Sequence, residues 1–208
     1  ALSTVSAPYG FQPLYKIGGA VPPSPRAFKG AISSAYATTI GKGCPIYFAT
    51  DGTIALLAAG GATGCDGIFS HCEYTNAAGE RKVSDYWPAS TTATNTVAWI
   101  YTDPSIVYKV QSAGSLALTS FGACGDHIAG TVNTRTGRSA DTLVATASLA
   151  AADASAMFKI VGLHDIPGNA WGDTYTEVQV IINERGNAFM SGTGSGNLYS
   201  TDQAGTSI

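Results

Sequence analysis

Few residues in this chain could do chemistry. There are four cysteines (Cys44, Cys65, Cys72, Cys124), three histidines (His71, His127, His164) and fourteen carboxylates in 208 residues. No two cysteines form C-x-x-C, and Cys65 and Cys72 have six residues between them, which is not structural-zinc spacing. His71 adjoins Cys72 and His127 lies three residues after Cys124, so a Cys/His zinc site can be drawn on paper. The spacing favours a plainer reading, four small thiols packed as hydrophobes in a reducing compartment. A Cys65–Cys72 disulfide closing a hairpin is the alternative.

Glycosidase chemistry needs two carboxylates flanking one cleft. Only Glu73, Glu80, Glu177 and Glu184 are glutamates, and Glu73 and Glu177 read as ordinary solvent-facing strand positions. Trp87, Trp99 and Trp171 could stack on a sugar, but they are better read as core or as candidate protein–protein interface aromatics. His164 and Asp165 are neighbours, and adjacent residues on a strand point to opposite faces. His164 therefore reads as a loop histidine capping a backbone group, and a metal role with Asp165 and Asp173 is disfavoured. "GTGSG" (192–196) follows no strong strand, opens no helix and lacks the lysine of a phosphate-binding loop. No nucleophile elbow occurs. The expectation is a protein with no catalytic residues, no metal and no cofactor.

Composition narrows the classes further. The chain is 45% hydrophobic but 12% charged, about half the usual charged fraction of roughly 25%. Its surface must be built from Ser, Thr, Asn, Gly and Ala, as in β-rich proteins that live inside assemblies. Net charge is −3 and no Lys/Arg run exceeds Arg81-Lys82, so nucleic acid is not an expected partner. No apolar stretch approaches the roughly 18 residues of a membrane span, and no membrane partner is expected. The start shows no basic region followed by an apolar one, so no intact secretory signal is expected.

The elements that would position these residues are short. Residues 1–28 hold Pro8, Pro13, Pro22, Pro23 and Pro25 and no negative charge. Proline bars a helix here and "VPPSP" favours polyproline II, which predicts an extended arm with Tyr9, Phe11, Pro13 and Tyr15 as docking residues. Strands are predicted over 35–40, 45–49, 53–57, 67–74, 81–87, 96–102, 106–110, 157–163 and 175–183. Asp51-Gly52 makes a hairpin turn and "NAAGE" makes another. Over 67–74, Ile68, Ser70, Cys72 and Tyr74 should oppose Phe69, His71 and Glu73. In the last strand Val178, Val180 and Ile182 should face inward and Glu177, Gln179 and Ile181 outward. About ten strands with at most two short helices predict an all-β domain, a sandwich, jelly roll or small barrel. The predicted boundaries are a docking arm over 1–28, a β-rich domain over 29–186 and a flexible Gly/Ser-rich tail over 187–208.

The segments "APYGFQPLYKIGG", "AYATTIGKGCPIYFATDGTIALL", "GIFSHCEYTNAAGERKVSDYWPA", "IYTDPSIVYKVQSAG" and "FKIVGLHDIPGNAWGDTYTEVQVIIN" follow in this order. Together, over about residues 7–185, the chain resembles a family of small tailed-phage structural proteins. Its members open with a similar arm, then carry a "GIF-GC-Y … YWP" hairpin and a late "F-IVGL" strand. The resemblance implies a non-enzymatic capsid cement or decoration protein on the outer surface of the virion. The implied partners are the major capsid protein and the protein itself, as a homotrimer or, second, a dimer. The alternative is a β-sandwich module of a phage fibre or head appendage that binds a glycan or receptor, with the three tryptophans exposed together. Cys44, Cys65, Cys124 and the tail depart from the family pattern.

Overall fold

The computed structural model describes residues 3–19, 21–59, 64–145, 149 and 156–183; the predicted C-terminal tail lies outside them. The domain is all-β, with fifteen strands and one 3-10 turn at Leu118–Ser120 among the described residues. With strands numbered in chain order, the first sheet runs β1 (Gln12–Lys16), β10 (Ile106–Gln111), β15 (Glu177–Ile182), β14 (Phe158–Leu163), β11 (Cys124–Gly125). Every neighbour in it is antiparallel.

The second sheet runs β2 (Arg26–Lys29), β9 (Ala93–Tyr101), β6 (Gly67–Asn76), β4 (Pro45–Phe48), β5 (Ile54–Leu56). A further strand, β7 (Arg81–Ser84), pairs with the outer half of β6. Two small ribbons complete the set: β3 (Ile40–Gly41) with β8 (Tyr86–Trp87), and β12 (His127–Ile128) with β13 (Thr142–Leu143).

The hairpin turns form as the sequence chemistry requires. Asp51 Oδ1 accepts from the Thr53 amide (2.9 Å) and hydroxyl (2.7 Å), while Gly52 takes φ +81°. That left-handed conformation is free of steric cost only for glycine, so Asp-Gly closes β4 onto β5. Asn76 Oδ1 does the same at the next hairpin, accepting from the amides of Ala78 and Glu80.

Strand alternation then builds two cores. Between the sheets, Ile106, Tyr108 and Val110 pack with Phe158, Ile160, Val178, Val180 and Ile182 against Leu57, Cys65 and Ile68. On the far face of the second sheet, Ile46, Ile54, Phe69, Cys72, Ala98 and Ile100 pack under Ile32, Ile40, Cys44 and Trp87. Each fully buried aliphatic side chain contributes about 1.5–3 kcal/mol, so the second sheet is held from both faces.

The structure corrects several expectations. Phe69 does not side with His71 and Glu73. A bulge between Phe69 and His71 inserts an extra residue in β6, which reverses the alternation. Phe69, Cys72 and Tyr74 therefore share the far core, while Ile68 faces the inter-sheet core. Residues 35–39 are not a strand: Tyr36 N–H turns back to the Ser33 carbonyl (3.1 Å) and Ala35 sits at φ +60°. Glu177 is not exposed but 7% accessible, covered by Tyr9. All four cysteines are free and buried, so Cys65 and Cys72 form no disulfide. Desolvation pushes the Cys44, Cys65 and Cys72 thiols up to about 12, which keeps them protonated and unreactive.

Candidate docking surface and a buried Asp141–His127 pair

The N-terminal segment is not a free arm over its whole predicted length. It lies along β10 and then joins both sheets. At its start the Ser3 hydroxyl bonds to Asp173 and to the Gly168 carbonyl, and the Tyr175 amide donates to the Ser3 carbonyl. Gln111, at the end of β10, clamps the next residues: its Oε1 accepts from Ala7 N–H (2.8 Å) and its Nε2 donates to the Val5 carbonyl (3.1 Å). The Tyr9 hydroxyl donates to Glu177 (2.7 Å), and Lys109 Nζ stands 5.4 Å from the Tyr9 ring centroid. Burial, with help from Glu177, raises the Tyr9 phenol well above its ordinary value.

Phe11 turns inward. It is 1% exposed and stacks on Phe158, ring centroids 4.2 Å apart. Its N–H donates to the Gly43 carbonyl (2.9 Å). A Cβ on Gly10 would sit 2.9 Å from that same carbonyl oxygen, so glycine is needed for the chain to pass this close. Phe11 is thus a core residue rather than a docking residue, because its ring is taken into the inter-sheet core against Phe158.

From Gln12 the segment is the edge strand β1. Pro13 pairs with Tyr108, the register shifts, and Tyr15 pairs with Val107. Pro13 has no N–H to offer and the bulge breaks the ladder, two devices that keep an edge from pairing indiscriminately. Tyr15 remains 46% exposed while its hydroxyl donates to Gln179 (2.8 Å). Ile17 N–H bonds to the Ser105 carbonyl at the other end of β10. Val5, Tyr15, Ile17 and Val21 are four of the eight large hydrophobics left exposed among the described residues. They follow the β10 edge from Gln111 to Ser105 and beyond, on a stretch with no carboxylate of its own. These four exposed side chains make the N-terminal edge the candidate docking surface.

Lys16 pins this edge to Asp103 (2.8 Å). That ion pair, with bonds from the Ser105 hydroxyl (2.6 Å) and amide (2.9 Å), holds the Asp103 carboxyl down at about 2. A depressed carboxylate stabilises the fold fully above its unfolded value and loses the contribution as pH falls through the folded one. The pair is partly exposed, so it is worth about 1 kcal/mol or less. Amide hydrogen exchange over residues 12–17, corrected for intrinsic rates, is expected to be faster at pH 2 than at pH 5. Asp103→Asn should abolish that difference; an unchanged difference would remove Asp103 as its cause.

The tryptophans are dispersed. Trp87 is fully buried and meets Tyr74 edge-on at 5.1 Å. Trp99 is half-buried, stacks on His71 at 5.2 Å and donates to Glu73. Trp171 is half-buried against the inter-sheet core. Trp87 belongs to the far core, Trp171 packs on the inter-sheet core and Trp99 lies in neither, so the three form no single platform. In the 164–173 loop, backbone capping is done by Asn169, whose side chain bonds the His164 and Glu177 carbonyls and the Glu177 amide. His164 joins through its main chain, donating to the Glu177 carbonyl.

One polar group was not legible in the sequence. His127, paired on paper with Cys124, is instead buried beside Asp141, brought close by the β12–β13 ribbon. Both are 1% exposed. Asp141 Oδ1 accepts from Gly130 N–H (2.6 Å) and Asp141 N–H donates to the Ser139 hydroxyl. Asp141 Oδ2 and both His127 ring nitrogens find no well-formed hydrogen bond among the described residues. Desolvation raises the Asp141 carboxyl and lowers the His127 imidazole. The only sequence signal was two ionisable residues flanking a polar loop, and nothing in their spacing pairs them. Among the described residues no three His, Cys, Asp or Glu side chains gather as a metal site.

No protein-family model, curated protein or solved structure matches the chain.

Proposed function

We propose that the chain is a non-enzymatic structural protein that cements or decorates the outer surface of an icosahedral phage capsid, docking on the major capsid protein and assembling as a homotrimer. The observation that carries this reading is the N-terminal edge: exposed Val5, Tyr15, Ile17 and Val21 on a carboxylate-free segment tied along β10. The low charge supports it as well, since a body wedged among neighbours has little need of charged surface to stay apart from them. Symmetry would multiply weak single contacts into avidity. The glycan-binding alternative draws no support from the tryptophans, because Trp87 is buried and Trp99 is engaged by His71 and Glu73.

Removing residues 1–28 would be a poor test, since Phe11 and β1 belong to the core and sheet. The test is binding of the purified protein to undecorated shells, comparing wild type with the triple variant Val5→Ser/Ile17→Ser/Val21→Ser. These side chains are mostly exposed, so the variant should fold. Wild type is expected to saturate at a symmetry-related copy number, and the variant to bind at least about 30-fold more weakly, given the apolar area removed. If wild type binds no shell, the capsid reading fails. Equal binding by both would move the docking surface elsewhere.

A further inference from the structure

A cleft of about 580 Å³ opens over the Asp141 carboxyl and the Cys44 thiol. That volume suits a small ligand. Its walls carry aliphatic groups, chiefly Leu56, Leu57 and Val132, and its hydroxyls come from Thr38, Thr39, Thr131 and Thr134. No Lys, Arg or second carboxylate lines it. The one strongly ionisable acid at its floor is Asp141, 1% exposed, with Oδ2 lacking a hydrogen bond among the described residues. A buried polar oxygen without a partner is destabilising, and a built site recovers that cost when a donor arrives.

The chemistry selects the donor. An acceptor oxygen at the bottom, hydroxyl acceptors on the walls and alkyl surface between them match a group with several N–H donors on an aliphatic stem. A carboxylate at the bottom, with the His127 imidazole beside it held neutral by burial and no Lys or Arg in the lining, favours a positive charge on that group. Lys42, the nearest lysine in the chain to Cys44, is paired with Asp85 (3.7 Å). We propose that this cleft binds the ammonium end of a small primary aliphatic amine, with Asp141 as the charge-bearing acceptor and the leucine and valine walls holding the stem. This site is separate from the N-terminal edge and stands whether or not that edge docks on a capsid.

The probe is n-butylamine, present as butylammonium at pH 7.5, with 1-butanol as the neutral control of the same stem. Binding is read by titration calorimetry and by amide shifts of Gly130, Thr131 and Thr134 in the whole protein. Butylammonium is expected to shift these amides saturably and to bind at least tenfold more tightly than butanol. Asp141→Asn keeps an acceptor for the Gly130 amide, so it should fold, and it should lose at least tenfold in amine affinity while leaving butanol unchanged. Should that variant not fold, Ala129→Phe, at an exposed position on the rim, is expected to block both ligands. Failure of butylammonium to bind the wild type, or equal affinity for amine and alcohol, would overturn the proposal. So would undiminished amine binding to a folded Asp141→Asn or Ala129→Phe variant.

Discussion

Phe11→Ala is expected to lower the stability of the fold by about 3–5 kcal/mol, the usual cost of removing a buried aromatic ring. The ring is 1% exposed and lies nearly parallel to Phe158, 17° between planes, so truncation opens a cavity between the sheets. The effect should be more than local. Phe11 precedes β1 directly, and beyond its backbone ladder to β10 the strand's side-chain ties include the Tyr9–Glu177 and Tyr15–Gln179 bonds and the Lys16–Asp103 pair, each worth about 1 kcal/mol. Without Phe11 the edge strand should open first, and limited proteolysis should cut within residues 12–25 before the body unfolds. Urea denaturation measures the loss. A change under about 1 kcal/mol would mean that the segment is held apart from the core in solution, as a free arm would be.

Trp87→Ala is expected to cost a similar amount, about 3–5 kcal/mol, but to leave shell binding per folded molecule unchanged. Trp87 is the largest of the fully buried side chains and fills the far core between Ile40 and Tyr74. Its ring N–H has no hydrogen-bond partner among the described residues. Trp87→Phe should therefore cost less than half as much, since it removes that unmet donor along with part of the ring. The two variants separate packing from recognition. If Trp87→Phe abolished binding while keeping the fold, Trp87 would have a recognition role that its burial argues against, and the receptor-binding reading would return.

The five longest strands and two of the hairpin turns were written into local sequence. Asp51-Gly52 and Asn76–Gly79 specify hairpins through side-chain bonds to their own backbone, and the alternation of Val178, Val180 and Ile182 put their faces where they are found. These features depend on neighbours within a few residues, which is why periodicity and turn chemistry reveal them. The Phe69–His71 bulge was hidden, because one extra residue in a ladder is decided by the partner strand β9. Residues 1–28 read as an arm because proline excluded a helix, and nothing local could show that Phe11 meets Phe158, a residue 147 positions away. The same holds for Asp141 and His127, whose polar character was plain in the sequence. Their burial and shared position come from tertiary structure: His127 lies in β12, Asp141 directly precedes β13, and these strands are two residues each. Composition and turn chemistry determined that the chain would be β-rich, sparsely charged and edged with an apolar N-terminal segment. Tertiary packing decided which of those apolar residues stay outside, because the inter-sheet core takes in the ring of Phe11 and leaves Val5, Tyr15, Ile17 and Val21 exposed.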